Sequence, residues 1–324
     1  MKWGKVLEKF PEANFLQSPS YKKMNELLGN KTIDFEFNDD GFGLGIVRDA
    51  KRGRYLEIPC GPLINWAKKD VVNNALDRIK AVAKEEKCVF VRIRPQLMMN
   101  SENLKHLEES GLKKSPMHLA AEHTVMINLE KTEEELLAGM RRQTRYEVRR
   151  ADKLGIKVSK SNSEEVFREF HSIQVETAKR QGFIPPNLDV LLAEREAFGD
   201  NITIYTARTS EGEAIAYGLV IVDKIEGDYY EAASTELNRK LPGAYAIIWQ
   251  AMRDLKKEGC KRFNLWGIAP PGQPNHRYAG VTTFKTGFGG EVVEYVAAHD
   301  LIISKIKYLK NYIVEAIRKK RRHL

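Results

Sequence analysis

The chain has 324 residues, of which 42% are hydrophobic and 30% charged, and carries a formal net charge of +9. At about 150 residues per domain this predicts two domains, each able to bury a core without disulfides or metals. It excludes a collagen-like, low-complexity or wholly disordered chain, because the apolar surface is sufficient to offset the entropy of ordering.

Residues Met1 to Phe15 interleave lysines and glutamates with apolar side chains, unlike a signal peptide. No segment approaches the ~20 apolar residues of a membrane span, so the expectation is a cytoplasmic protein. Helix signals follow at Ser18–Leu28, with Ser18 as cap and Pro19 in the first turn, and at Asp70–Glu86 and Ser101–Ser110. Strand patterns run over Thr32–Phe37, Tyr55–Ile58, Cys88–Ile93 and Thr124–Leu129. Between the first two, the glycines of Gly41-Phe-Gly-Leu-Gly45 read as a hairpin turn.

The second half repeats this order, with strands at Ile202–Arg208, Ile215–Val222 and Asp228–Ser234, a helix at Ala244–Lys257, and strands at Arg262–Trp266 and Glu291–Tyr295. Ala81–Arg92 and Asp254–Leu265 share a helix end, a charged turn containing Cys and a buried-looking strand. The expectation is two α/β modules of similar topology, at 1–135 and 136–300, with a helical insert at 161–198 and a basic helix at 301–324. Cys60, Cys88 and Cys260, odd in number and far apart, read as reduced core thiols.

The positive charge is concentrated. From Lys305 to Leu324 there are eight Lys or Arg against Glu315 alone, and from Arg141 to Lys153 six against Glu147 and Asp152. Arg142, Arg145, Arg149 and Lys153 fall at helical spacings of three and four, so one helix face becomes a cationic stripe whose self-repulsion a bound polyanion would relieve. In the tail, Ile302, Ile306, Leu309, Ile313 and Ile317 give an amphipathic pattern ending in Arg318-Lys-Lys-Arg-Arg322, suited to a membrane face, to RNA or to docking on the body.

The sequence contains no G-x-S-x-G elbow, H-E-x-x-H or Walker loop, and its seven histidines have no metal-ligand spacing. Asn238-Arg-Lys-Leu-Pro-Gly-Ala-Tyr245 approximates the R/Q-x-x-G-x-G/A pyrophosphate loop of acetyltransferases. Pro242 and Ala244 replace its first two glycines, and proline removes a donor.

Five stretches carry a resemblance to the Fem family of peptidoglycan-bridge aminoacyltransferases. They are Gln17-Ser-Pro-Ser-Tyr21, Ile58-Pro-Cys-Gly-Pro62, the arginine segment Met140–Ala151, Tyr229-Tyr-Glu-Ala-Ala-Ser234 running to Ala244, and Phe263-Asn-Leu-Trp-Gly267 followed by Gly280–Gly289. The resemblance implies two tandem acetyltransferase-like (GNAT) modules with mixed sheets flanked by helices, in a compact form without a coiled-coil arm. It implies transfer of an amino acid from aminoacyl-tRNA, as co-substrate and without a cofactor, to an amine of a lipid- or nucleotide-linked peptidoglycan precursor. Arg141, Arg142, Arg145, Arg149, Arg150 and Phe284 would then bind tRNA, and Lys285 in its glycine-rich segment would act in catalysis. Tyr230, Lys23 and Arg180, the last in Arg180-Gln-Gly-Phe183, would contact the precursor. At the lysine position that follows the aromatic matched by Tyr21, this chain has Asn25, and Pro185-Pro186-Asn187 stands where relatives carry an arginine and a tyrosine. Two other readings stay open: an acyl-CoA-dependent N-acyltransferase on the same fold, and a non-catalytic protein binding RNA or a membrane surface.

Overall fold

The structure, a computed structural model, describes residues 3–182 and 184–322. In chain order it has helices α1 (Trp3–Lys9) and α2 (Pro19–Leu27), strands β1 (Thr32–Glu36), β2 (Gly41–Ala50), β3 (Gly53–Pro59) and β4 (Leu63–Ile64), then α3 (Lys69–Glu85), β5 (Phe90–Arg94), α4 (Ser101–Glu109) and β6 (Lys113–Lys114). There follow β7 (His123–Asn128), α5 (Glu133–Gly139), α6 (Arg142–Lys153), β8 (Lys157–Ser161), α7 (Glu164–Gln181), α8 (Leu188–Phe198), β9 (Ile202–Arg208), β10 (Ala214–Asp223) and β11 (Glu226–Ser234). The chain ends with α9 (Gly243–Lys257), β12 (Arg262–Asn264), α10 (Ala279–Thr286), β13 (Glu291–Glu294), β14 (His299–Ile302) and α11 (Lys305–Arg322).

These elements form two compact units, residues 1–122 with 294–324, and residues 123–293. The module boundaries expected at 135 and 300 therefore both move. Strand β7 pairs antiparallel with β12, whereas β14 pairs antiparallel with β5 and β6, so 123–135 joins the second unit and 294–302 returns to the first. The reason is backbone pairing: a buried strand must find ladder partners wherever they lie along the sequence.

In the first unit the sheet order is β1-β2-β3-β5-β14-β6, with β4 on β2, and β3 runs parallel to β5. The glycine run expected to turn is instead the start of the long strand β2. A Cβ on Gly45 would lie 2.9 Å from Phe35 and 3.0 Å from Leu56, and one on Gly41 would lie 2.1 Å from the Leu63 carbonyl, so these glycines permit close packing. Helix α11 belongs to this unit: Tyr308 is buried edge-on against Phe90, and Asn311 accepts a hydrogen bond from the Arg52 guanidinium. Ile302 lies in β14, outside the helix whose pattern it was expected to open.

The second unit's sheet has the order β13-β7-β12-β11-β10-β9-β8. Helices α6 and α9 supply core side chains such as Val148, Ile247 and Met252, while the insert folds as the two helices α7 and α8. Helix α7 starts on a Ser163 cap and ends where Gly182 takes the left-handed conformation. Phe183 lies outside the described residues. The two cysteine turns are built alike, with Cys88 N bonding the Ala83 carbonyl and Cys260 N that of Leu255, each leading into the parallel strand of its sheet. All three cysteines are buried and none is in a disulfide.

Candidate active site

Strands β11 and β12 run parallel for only three pairs, Glu226 with Arg262, Gly227 with Phe263 and Asp228 with Asn264. Beyond them the pairing ends. On β11 the register with β10 shifts so that Leu219 faces Glu231 and Val220 faces Tyr229, which leaves Tyr230 as an extra, bulged residue. On β12 the Asn264 side chain accepts the Trp266 N–H at 2.9 Å, and Trp266 turns into the left-handed region with φ 60°. Tyr230 and Trp266 meet edge to face at 5.3 Å between ring centres. Carboxyl ends of parallel strands, where pairing stops, are where α/β sheets commonly bind ligands.

Lys285 reaches this point from α10, donating from Nζ to the Gly267 carbonyl at 2.9 Å. Expected in a glycine-rich segment, it is a helical residue only 8% exposed. Burial brings its ammonium down from the ordinary lysine range to about 7. The surrounding glycines serve the chain's own backbone. A Cβ on Gly290 would lie 2.5 Å from the Met126 carbonyl, and one on Gly287 would strike the Thr144 hydroxyl and the Arg141 guanidinium. Phe284 packs edge-on against Tyr245 at 5.0 Å and Phe288 at 5.3 Å, so it is half committed to the core.

The arginine helix separates into two groups. Arg145 donates to the Leu137, Ala138 and Met140 carbonyls at the end of α5, Arg141 to the Thr283 carbonyl at 2.6 Å, and Arg150 to Glu147 and to the Lys240 carbonyl. Arg142, Arg149 and Lys153 are exposed and bond none of the described residues. The usable stripe is thus narrower than the spacing suggested, because helix ends elsewhere compete for guanidinium donors.

At the start of α9, Asn238 Oδ1 already accepts the Ala244 N–H at 3.0 Å, and Pro242 has no N–H to offer. The donors that a coenzyme A pyrophosphate would use are therefore spent or missing. Arg180 pairs with Glu236 at 3.0 Å and donates to the Ser234 carbonyl just beyond the bulge. Lys23 lies exposed on α2 of the first unit, and Asn25 is fully buried, bonding back to the Tyr21 carbonyl.

Sequence reasoning missed several buried polar groups around the bulge. Asp228, fully buried, is held well above the usual carboxylate range by burial and by the charge of the Glu226 carboxyl. Gln174, Glu194 and Glu231 gather between α7, α8 and β11. A charged residue inside an otherwise apolar strand, as in Gly227–Ala233, was the available signal.

Two mixed sheets with one short parallel pair each, opening at a bulge beside a buried lysine, define a tandem acyltransferase-like fold. The chain belongs to the FemAB family, whose model matches residues 5–213 and 206–315. Over 94 residues, 29% of this chain, it is 31% identical to the aminoacyltransferase FemA of Staphylococcus epidermidis; the match spans 22% of that relative's length. The crystal structure of FemX superposes with a TM-score of 0.83 at 16% identity, covering 96% of this chain and 97% of the other. A tandem GNAT protein from the clavulanic acid biosynthesis pathway superposes at 0.54 with 8% identity, over 82% of this chain and 79% of that one.

Proposed function

We propose that the chain is an aminoacyltransferase that moves an amino acid from aminoacyl-tRNA to an amine of a peptidoglycan precursor. Membership of the FemAB family and the similarity to FemA support the reaction class. The observation that carries it is the buried Lys285 at the splayed ends of β11 and β12. An aminoacyl ester is already activated, so the protein must position an amine, accept its proton and stabilise an oxyanion. Lys285 supplies the cation for the last task, while Arg142, Arg149 and Lys153 hold tRNA phosphates. Tyr230 and Trp266 wall the acyl group, and the spent donors at the start of α9 disfavour acyl-CoA.

The decisive experiment incubates the protein with a pool of labelled aminoacyl-tRNAs and lipid- or nucleotide-linked precursors and identifies the adduct. Lys285→Met lowers turnover about 10² to 10³-fold, the size of one lost oxyanion contact, and changes tRNA affinity far less. Equal loss of both would make Lys285 a binding residue only.

The reading extends to peripheral membrane contact. Helix α11 turns Tyr308, Asn311 and Glu315 to its own unit, leaving Ile306 88% exposed and Leu309, Ile313 and Ile317 about half exposed, flanked by Lys305, Lys307, Lys310, Arg318 and Lys319. No helix among the described residues is long and apolar enough to cross a membrane. An apolar stripe bordered by cations suits the surface of an anionic bilayer, each cation adding about 1 kcal/mol. Ile306, Ile313 and Ile317 changed together to Ser abolish sedimentation with phosphatidylglycerol vesicles; if the parent chain ignores such vesicles, this extension fails.

A further inference from the structure

Between α7, α8 and β11 the protein gathers hydrogen-bond acceptors without the donors to match. Gln174 gives its Nε2 to Glu231 Oε2 at 2.7 Å, and its buried Oε1 has no partner among the described residues. Glu194, facing Glu231 from α8, has a buried Oε2 with no partner among the described residues. Gln174 and Glu194 are each 3% exposed, whereas Glu231 is only partly covered and opens the group to the outside.

Unpaired buried acceptors of this kind are costly, and more so when charged. The protein's nearby cations are engaged elsewhere: Arg180 with Glu236 and the Ser234 carbonyl, and Arg208 with Glu169 at 2.8 Å. No lysine or arginine among the described residues bonds Glu194 or Glu231. Burial raises both carboxyls above their usual range, and Glu231 raises Glu194 further.

We propose that Gln174, Glu194 and Glu231 form a binding site for the primary ammonium group of a substrate. The match is one of count and charge. An ammonium offers three N–H donors and no acceptor. The site offers an amide oxygen and two carboxylates that cannot both ionise comfortably without a cation between them. Glu231 follows the bulged Tyr230 directly, which places the site beside the splayed strand ends. The assignment rests on the aminoacyl-transfer reading for its role, since both the acceptor amine and the donor's α-amino group arrive as ammonium.

The test titrates the full chain with two small amines, glycine methyl ester for the α-ammonium of an aminoacyl ester and Nα-acetyl-lysine amide for a side-chain ammonium. Each is run against its N-acetylated counterpart, and Tm and NMR shifts are followed. One amine gives a saturable shift, its acetylated form does not, and the amine that responds identifies the donor or the acceptor as the source. The isosteric Glu194→Gln and Glu231→Gln each weaken that amine about tenfold or more. The proposal is overturned if neither amine binds, if the acetylated forms bind equally, or if folded Gln variants keep full affinity. Small-amine binding needs no tRNA, so a protein that binds the amine yet transfers nothing would keep the site and lose the transfer reading.

Discussion

Among the described residues Lys285 Nζ bonds a single carbonyl, that of Gly267, in surroundings that otherwise penalise its charge. With the folded value near 7 and the unfolded value near that of free lysine, the unfolded chain binds more protons across the interval between them. Stability therefore rises with pH from about 7 to about 10 on account of this residue. Lys285→Met removes that slope. Thermal melting of the variant and parent should show the variant's relative stability greatest at pH 7 and below, and the difference closing toward pH 10; a difference constant across the interval would mean that Lys285 titrates in the fold as it does in the unfolded chain. The same lysine was legible in the sequence as a motif position, but its burial was not, because exposure depends on what α10 packs against.

At the scale of elements, α6 shows how one helix divides its arginines between structure and surface. Arg145 caps the carbonyl end of α5, and charged hydrogen bonds of this kind contribute about 1.5–3 kcal/mol each at partly buried sites. Arg145→Gln is expected to lower stability by about 1–3 kcal/mol in denaturant unfolding and to leave the salt dependence of tRNA binding intact. Changing Arg142 and Arg149 together to Gln should do the reverse, flattening the slope of log affinity against log salt by roughly 0.7–0.9 per lost phosphate contact with little change in stability. If Arg145→Gln flattens the slope as much, the separation is wrong. The periodicity of Arg142, Arg145, Arg149 and Lys153 announced a common face. It could not announce that α5 would end beneath one of them.

At the scale of the whole molecule, the first unit is closed by residues from both ends of the chain. Arg92 on β5 makes a bidentate pair with Asp300 on β14 at 2.8 and 2.9 Å and also bonds Glu315 on α11, while Tyr308 donates to Asp300. Arg92 and Asp300 are buried, so removing one partner strands a charge, at a cost of about 3–5 kcal/mol. Asp300→Ala is therefore expected to melt the first unit well below the parent and to loosen α11, seen as faster amide exchange in β5, β14 and α11 with β9 to β11 unchanged. A uniform loss of protection through both units would refute a stability local to the first.

The sequence by itself determined most of the strands and helices, from the Ser18 cap to the paired cysteine turns, because these depend on residues a few positions apart. It also carried the family's marks at Met140–Ala151 and Phe284–Gly289. Only the tertiary structure decided that β7 and β14 exchange the expected module ends, that Gly41–Gly45 packs as strand, and that α11 buries its polar Asn311 and Glu315 while presenting isoleucines outward. It alone brought Gln174, Glu194 and Glu231 together across 57 residues of chain. Pairing partners, burial and convergence of distant side chains are set by which surfaces meet, and local spacing carries no record of that.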